Sequence, residues 1–174
     1  MKKVLGLLAV TLTLGVSAFA QEKKKPASPL DSVSTTIKGG ATVSIVYSRP
    51  SVKGRTIGKD LEPMPGKIWR AGANGATTFE ISKDVKVEGK ALPAGKYAFF
   101  TIHNDAEWTL IFNKVAKTWG AYDYEKNKDQ DALQVTVKDG KAPSFTETLT
   151  YTIDSKGEVV LLWGDHAVKF KVKG

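Results

Sequence analysis

Three arginines are the residues whose type and spacing point most directly to chemistry. Arg49, Arg55 and Arg70 are the chain's three arginines, and all of them lie within 22 consecutive positions, while the remaining 23 of the 26 lysines and arginines are lysine. A guanidinium is a planar fork of donors that grips a carboxylate or phosphate with two hydrogen bonds, which an ammonium group does not reproduce. The confinement of arginine to one neighbourhood therefore predicts an anion-binding patch.

The first two arginines fall in a long irregular stretch, residues 48–66, which is rich in proline and glycine. A loop of this length inside a compact domain is uncommon and is often functional. A structural explanation stays open beside the functional one. The arginines could instead tie the loop to the scaffold by bonding backbone carbonyls or an acid such as Asp60, Glu62 or Glu80.

Three further residues complete the candidate set. Trp69 could stack on a ligand, although such a ring is more often a core anchor. Asn74, followed by Gly75, could supply a binding amide or simply form a type I′ turn. His103 ends a strand and could face a cleft as a general base, although a solvated turn histidine is the simpler explanation. The predicted ligand-binding residues are Arg49, Arg55, Trp69, Arg70, Asn74 and His103.

The histidines give little reason to expect a metal. The chain has two histidines and no cysteine, and no acidic residue stands at metal-ligand spacing from either histidine. His166 shares its strand parity with Val168 and Phe170, which predicts a rim or core position. The sequence therefore predicts no metal site and no cofactor.

No catalytic motif is present in the chain. The Gly-x-Ser-x-Gly elbow, the phosphate loop and the dinucleotide fingerprint are all missing from the sequence. An enzyme stays open only as a hydrolase-like alternative, in which His103 or Asp123 acts beside the arginines. A second aromatic group, Trp119, Tyr122 and Tyr124, suggests a sugar-stacking surface, although three aromatics in a strand are more often core.

The N-terminus predicts export. Residues 1–20 read as a signal peptide, with two lysines, an uncharged apolar run from 4 to 16 and a small-residue cut site after Ala20. The apolar run is shorter than the ~20 residues that span a bilayer, so no transmembrane segment is expected in the mature chain. We expect a periplasmic or secreted protein with a flexible leader over residues 21–30.

Composition narrows the classes of partner. The net charge is +8, but the lysines are spread along the chain and no nucleic-acid motif accompanies them, so nucleic acid is not an expected partner. Absence of cysteine excludes disulfides and thiolate chemistry. The sequence leaves the oligomeric state open.

Hydrophobic residues alternate with a period of two almost everywhere, and no segment sustains a helical period. Turn dipeptides such as Gly39-Gly40, Asp139-Gly140 and Gly164-Asp165 separate the apolar runs. Residues 96–102 are apolar on both parities, which predicts a central strand covered on both faces. The pattern predicts an all-β fold over residues 31–174, a single-domain antiparallel β-sandwich that is jelly-roll-like or barrel-like, with about ten strands.

Several separate motifs resemble the bacterial exported family catalogued as domain of unknown function 2911 (DUF2911). They are residues 47–55 (YSRPSVKGR), 67–74 (KIWRAGAN), 76–78 (ATT), 84–90 (DVKVEGK), 92–97 (LPAGKY) and 107–114 (EWTLIFNK). The resemblance implies an exported or envelope protein without an agreed activity, and all three arginines fall inside its motifs. Gly75 departs from the family pattern, where a larger and often acidic residue is expected, and the loop over residues 56–65 also diverges.

The sequence thus favours a binding protein over an enzyme. The expected ligand is an anionic small molecule or a glycan, held by the arginine-containing loop region. A hydrolase-like envelope enzyme is one alternative. The other is a structural or interaction protein that pairs its edge strands with a partner.

Overall fold

The computed structural model describes residues 26–174. Ten strands in this range pair antiparallel, and a single helical turn, α1 (Tyr124–Asn127), continues into a 3-10 turn (Lys128–Gln130). The strands are β1 (Leu30–Thr36), β2 (Thr42–Ser48), β3 (Ile68–Trp69), β4 (Thr77–Ile81), β5 (Val85–Val87), β6 (Lys90–Leu92), β7 (Gly95–Asn104), β8 (Glu107–Asn113), β9 (Asp131–Ile153) and β10 (Glu158–Lys173).

All ten strands belong to one sheet that does not close on itself. Its order is β1-β2-β4-β7-β8-β9-β10-β5-β6, and β3 pairs with β7 outside this path. The predicted all-β architecture and the strand number are therefore confirmed. Most neighbours in the sheet are also neighbours in sequence, as expected where strands are joined by hairpins.

The core lies where the sheet folds over and packs against itself. The ring of Phe79 on β4 lies 5.1 Å from that of Phe112 on β8 and 6.1 Å from that of Phe170 on β10, centroid to centroid. Because β4 and β10 are not neighbours in the sheet, their rings meet only across the interior between two layers. The three phenylalanines are fully or almost fully buried, and such burial stabilises a fold by about 1.5–3 kcal/mol per ring.

Two of the predicted turns are wrong, because β9 and β10 are much longer than the sequence suggested. Asp139-Gly140 does not turn: β9 runs through it, pairing with β8 before this point and with β10 after it. A Cβ on residue 140 would lie 2.7 Å from the carbonyl oxygen of Ala167, so glycine is needed for close strand approach. Gly164-Asp165 also stays within its strand, and Gly164 adopts a φ of 58° at a register shift.

The predicted turn at Gly39-Gly40 is confirmed. Gly39 and Gly40 have φ values of 96° and 77° and join β1 to β2. Gly157 has a φ of 82° in the connection from β9 to β10. These left-handed conformations are readily adopted by glycine because it has no Cβ.

The central strand β7 is buried on both faces, as predicted. One face, with Tyr97 and Phe99, belongs to the main core, while Ala98 and Phe100 face outward into a second small core. That second core is covered by the segment 114–130, whose Tyr124 ring lies 5.2 Å from the ring of Phe100. The segment 114–130 therefore forms a partial third layer on the outer face of the sheet.

The predicted signal peptide, residues 1–20, lies outside the residues that the structure describes, as do residues 21–25 of the predicted leader. The end of that leader contacts the domain, because the carbonyl oxygen of Pro29 accepts a 2.8 Å hydrogen bond from the amide of Arg49. Between residues 26 and 174, no helix has the length and apolar character needed to cross a bilayer.

Candidate functional site

Arg49 ties the long loop to the distant strand β9. Its Nε donates a 3.0 Å hydrogen bond to the carbonyl oxygen of Leu149, and its Nη2 donates to the hydroxyl oxygen of Thr150 at 3.1 Å. Its Nη1 lies 3.1 Å from a carboxylate oxygen of Asp31. All three guanidinium nitrogens of Arg49 thus contact groups of the chain itself, which matches the structural explanation given for the arginines.

Arg55 stabilises its own turn. Its Nε and Nη2 donate to the carbonyl oxygens of Val52 and Ser51 at 3.0 and 2.6 Å. The loop around it is attached to β9, because Val52 donates its amide to the carbonyl oxygen of Glu147, whose side chain in turn accepts the amide of Lys53. Arg49 and Arg55 therefore bond different groups of the chain itself.

Arg70 differs from the other two arginines. Its Nε is buried and has no hydrogen-bond partner within residues 26–174. Its Nη1 lies beside Gly120, only 2.8 Å from the place where a Cβ on that residue would stand. Arg70 is thus the one predicted arginine whose head group lies next to an aromatic surface segment, that of Trp119 and Tyr122.

Trp69 and Asn74 hold the structure around Arg70. Trp69 is 2% exposed and donates its indole N–H to the carbonyl oxygen of Gly72 at 3.1 Å, so its ring lies in the core. Asn74 has a φ of 60°, and its amide nitrogen lies 3.3 Å from both the carbonyl oxygen of Ser28 and the hydroxyl oxygen of Ser48. Gly75 does not share the positive φ, so the type I′ turn is not formed.

A cleft of about 760 Å³ lies where this stretch meets the segment 114–130. Gly75 and Trp119 form an antiparallel bridge, and Ala76 donates its amide to the carbonyl oxygen of Thr118 at 3.1 Å. We call this space the tryptophan cleft. Its lining residues are Gly75, Ala76, Thr78, Lys96, Ala116, Lys117, Thr118 and Trp119.

The wall that carries Trp119 is fixed by a partly buried hydrogen-bond network. Asn113 donates its side-chain amide to the carbonyl oxygen of Asn127 and to the carboxylate of Asp131, both at 2.7 Å. The hydroxyl of Tyr124 donates to the other oxygen of Asp131 at 2.8 Å. Burial, followed by the neighbouring Asp131 carboxylate, raises the pKa of Tyr124 far above its ordinary value, so this phenol remains a donor at physiological pH.

The tryptophan cleft combines a flat apolar surface with positive charge. Trp119 is 67% exposed, so most of a large aromatic residue is in contact with solvent beside a concave surface. Lys96 and Lys117 also line the cleft. The ammonium of Lys96 lies 3.2 Å from the Glu80 carboxylate, which partly offsets its charge.

The sequence suggests an aromatic surface of Trp119, Tyr122 and Tyr124, and the structure exposes two of these three rings. Tyr124 is buried, as a core position requires, but Trp119 and Tyr122 are exposed at 67% and 76%. The three side chains do not alternate along a strand, because Trp119 lies at a β-bridge, Tyr122 lies in a turn and Tyr124 begins α1. The alternation of residues in a β-strand therefore does not predict which of these rings is exposed.

His103 does not lie with the arginines but in a different group. Its Nε2 lies 3.3 Å from the carboxylate oxygen Oδ2 of Asp139, and the Nδ1 of His166 lies 2.7 Å from the same oxygen. We call His103, Asp139 and His166 the histidine cluster. No acidic residue stands at metal-ligand spacing from the histidines along the sequence, but folding brings Asp139 to both of them from a distant part of the chain.

The family model described as "Protein of unknown function (DUF2911)" matches residues 28–172. The chain belongs to this family. The DUF2911 match spans nearly all of the described residues, including both walls of the tryptophan cleft and the whole histidine cluster. Neither a curated protein nor a solved structure is detectably similar to this DUF2911 chain.

Proposed function

We propose that this DUF2911 protein is a binding protein that holds a small anionic molecule of carbohydrate type in the tryptophan cleft. The observation that carries the proposal is the exposure of Trp119 on the wall of a cleft that also contains two lysines. The volume of about 760 Å³ lies within the ~300–1,000 Å³ of ordinary small-molecule sites. The proposal keeps the ligand class expected from the sequence and moves the site from the arginines to the cleft.

The ring of Trp119 suits a ligand with one apolar face. Large exposed aromatic rings expose apolar area that becomes buried when a flat ligand stacks on them. A sugar ring has such a face of C–H groups, together with hydroxyls at its edge that could reach the side chains of Thr78 and Thr118 on the cleft walls. An exposed indole without a ligand leaves this apolar area in water.

The lysines favour a negatively charged ligand over a neutral one. Lys117 and Lys96 line the cleft. A carboxylate, sulfate or phosphate on the ligand would gain charge-assisted hydrogen bonds from these two ammonium groups. The net charge of +8 favours the approach of anions more generally.

A titration of charged and neutral saccharides tests the proposal. Binding of acidic mono- and oligosaccharides, such as uronic acids and sugar phosphates, is measured by isothermal titration calorimetry with matched neutral sugars beside them. We expect acidic sugars to bind wild-type protein, Trp119→Ala to abolish binding and Lys117→Ala to weaken it by about tenfold, the equivalent of ~1.4 kcal/mol.

Two matched controls make the titration specific. Phe145→Ala removes another exposed aromatic ring, 55% exposed on β9, and Lys169→Ala removes an exposed lysine of β10. Both variants should bind like wild type. Equal loss in Phe145→Ala and Trp119→Ala, or an absence of binding by every acidic sugar, would contradict the proposal.

A further inference from the structure

The histidine cluster gathers three potential metal ligands at one point. Asp139 Oδ2 lies 2.7 Å from His166 Nδ1 and 3.3 Å from His103 Nε2, and one ligand atom from each side chain lies within 4.8 Å of the others. The second carboxylate oxygen of Asp139, Oδ1, is buried and has no hydrogen-bond partner in the described part of the chain. An unpartnered buried carboxylate oxygen is costly unless another group satisfies it.

We propose that the histidine cluster binds one divalent transition-metal ion of the zinc type, through His103 Nε2, His166 Nδ1 and the carboxylate of Asp139. Two imidazoles with one carboxylate form a ligand set that suits Zn²⁺ and its first-row neighbours, whereas Mg²⁺ and Ca²⁺ prefer oxygen ligands alone. This site lies outside the tryptophan cleft and does not depend on the function proposed for it.

The distances fit such an ion with small adjustments. Zinc bonds to nitrogen and oxygen are about 2.0–2.2 Å long, so two ligands of a tetrahedral site stand roughly 3.3 Å apart. The separation between His103 Nε2 and Asp139 Oδ2 is already 3.3 Å, and that between His166 Nδ1 and the same oxygen is 2.7 Å. A rotation of the Asp139 carboxylate would also bring the unpartnered Oδ1 to the ion.

Rigid strands hold the ligands in place. His103 lies on β7, Asp139 on β9 and His166 on β10, so the cluster spans four consecutive strands of the sheet. The intervening strand β8 contributes Trp108, which is fully buried and stacks under His103 at a centroid distance of 4.6 Å. The same indole lies edge-on to His166 at 5.6 Å. A site built on paired strands costs little reorganisation when it binds.

The site also has an open side and a further donor. The three side chains are 14%, 16% and 24% exposed, and a shallow cleft of about 480 Å³ adjoins them, lined by Lys141 and Asp165 among others. The carbonyl oxygen of Asp105 lies 3.0 Å from His103 Nε2. A water molecule or this carbonyl could therefore take the fourth position around an ion.

The groups around His103 Nε2 are hydrogen-bond acceptors. The carbonyl oxygen of Asp105 lies 3.0 Å from this nitrogen and the carboxylate of Asp139 lies 3.3 Å from it, so a proton on Nε2 would be donated to them. Metal binding replaces such protons and releases them to solvent. A histidine cluster that serves only as a hydrogen-bonded strut would keep them in the presence of metal.

Calorimetric titration of Zn²⁺ into untagged, chelator-treated protein tests the proposal. The chain has two histidines and no cysteine, so every imidazole ligand is in the cluster. We expect one ion per chain, and a loss of at least about a hundredfold in affinity for Asp139→Asn, since even partners behind metal ligands contribute ~10–100-fold. Asp129→Asn makes the same change at an exposed carboxylate and should bind like wild type.

A second measurement on the wild-type protein covers the case in which Asp139→Asn does not fold. Long-range proton–nitrogen spectra report the protonation of each imidazole nitrogen, and Zn²⁺ should shift the ring signals of both His103 and His166. Unchanged ring signals at millimolar Zn²⁺ would overturn the proposal and leave a structural hydrogen-bond cluster. Zinc binding that Asp139→Asn retains at wild-type strength would overturn it as well.

Discussion

Arg49 donates a 3.0 Å hydrogen bond from its Nε to the carbonyl oxygen of Leu149, a residue 100 positions further along the chain. The same guanidinium reaches Thr150 on β9 and Asp31 on β1. Arg49 therefore connects the start of the long loop to both β1 and β9. Its planar fork makes three contacts, one from each nitrogen, which one ammonium group does not satisfy with the same geometry.

We predict that Arg49→Lys destabilises the protein by about 1–2 kcal/mol, because lysine keeps the ion pair with Asp31 but loses the bonds to β9. Urea unfolding followed by circular dichroism measures the change. Arg55→Lys is the matched comparison, since Arg55 is exposed and, among residues 26–174, bonds carbonyls just three and four residues away. It should cost no more than about 0.5 kcal/mol. Equal costs for the two variants would refute the connecting role of Arg49.

We predict that Tyr124→Phe costs about 1–2 kcal/mol, because it leaves an oxygen of Asp131 without the 2.8 Å bond from the phenol. Tyr122→Phe is the control, since that ring is 76% exposed two positions earlier. Thermal unfolding of both variants measures the difference. If Tyr122→Phe proved as costly as Tyr124→Phe, the network that fixes the segment 114–130 would not be its main support.

Alkaline pH should unfold the protein through its buried tyrosines. Burial raises the pKa of Tyr151 well above its ordinary value of 10.0, so above pH 10 the unfolded chain loses a proton that the folded chain keeps. Stability is therefore intact below pH 10 and falls as pH rises, by up to about 1.4 kcal/mol per pH unit from this residue. Tyr151→Phe should give a shallower decline between pH 10 and 11 in urea titrations. A slope as steep as that of wild type would exclude Tyr151 as a cause.

Gly157 and Gly89 are a matched pair for measuring how much an added Cβ lowers the stability of the folded protein. Their φ values are 82° and 81°, so alanine at either position bears the same left-handed strain of about 1–2 kcal/mol. A Cβ on residue 157 would in addition overlap the carbonyl oxygen of Val172, whereas residue 89 has open space around it. We expect Gly157→Ala to be at least about 2 kcal/mol more destabilising than Gly89→Ala. Similar unfolding midpoints would show that the turn relaxes without cost.

Local signals in the sequence predicted the fold class because they depend on neighbouring residues. Alternating apolar residues and the pair Gly39-Gly40 determine a hairpin without help from the rest of the chain. Asp139-Gly140 carries a turn signal of the same kind, yet Gly140 serves close packing against Ala167 inside a strand. Both uses require a residue without Cβ, and only the three-dimensional neighbours distinguish them.

The candidate sites were harder to predict, because they depend on contacts between distant segments. Asp139 lies 27 positions before His166, and two register shifts in β10 decide which residues of that strand stand opposite β9. Spacing along the chain carries no trace of this arrangement. The three arginines are confined to one stretch of the sequence, as the ligand-binding hypothesis required. However, Arg49 and Arg55 donate hydrogen bonds to backbone carbonyl oxygens of the chain itself.

The 23-residue strand β9 is hydrogen-bonded to β8 along its first part and to β10 along the rest. No hinge or linker interrupts β9. The strands on the β8 side of the sheet and those on the β10 side therefore share one continuous strand. If the strands on either side unfold, the strands on the other side lose part of β9 as their pairing partner. We therefore expect the protein to unfold in a single cooperative transition. Limited proteolysis should release no stable fragment from either side of β9.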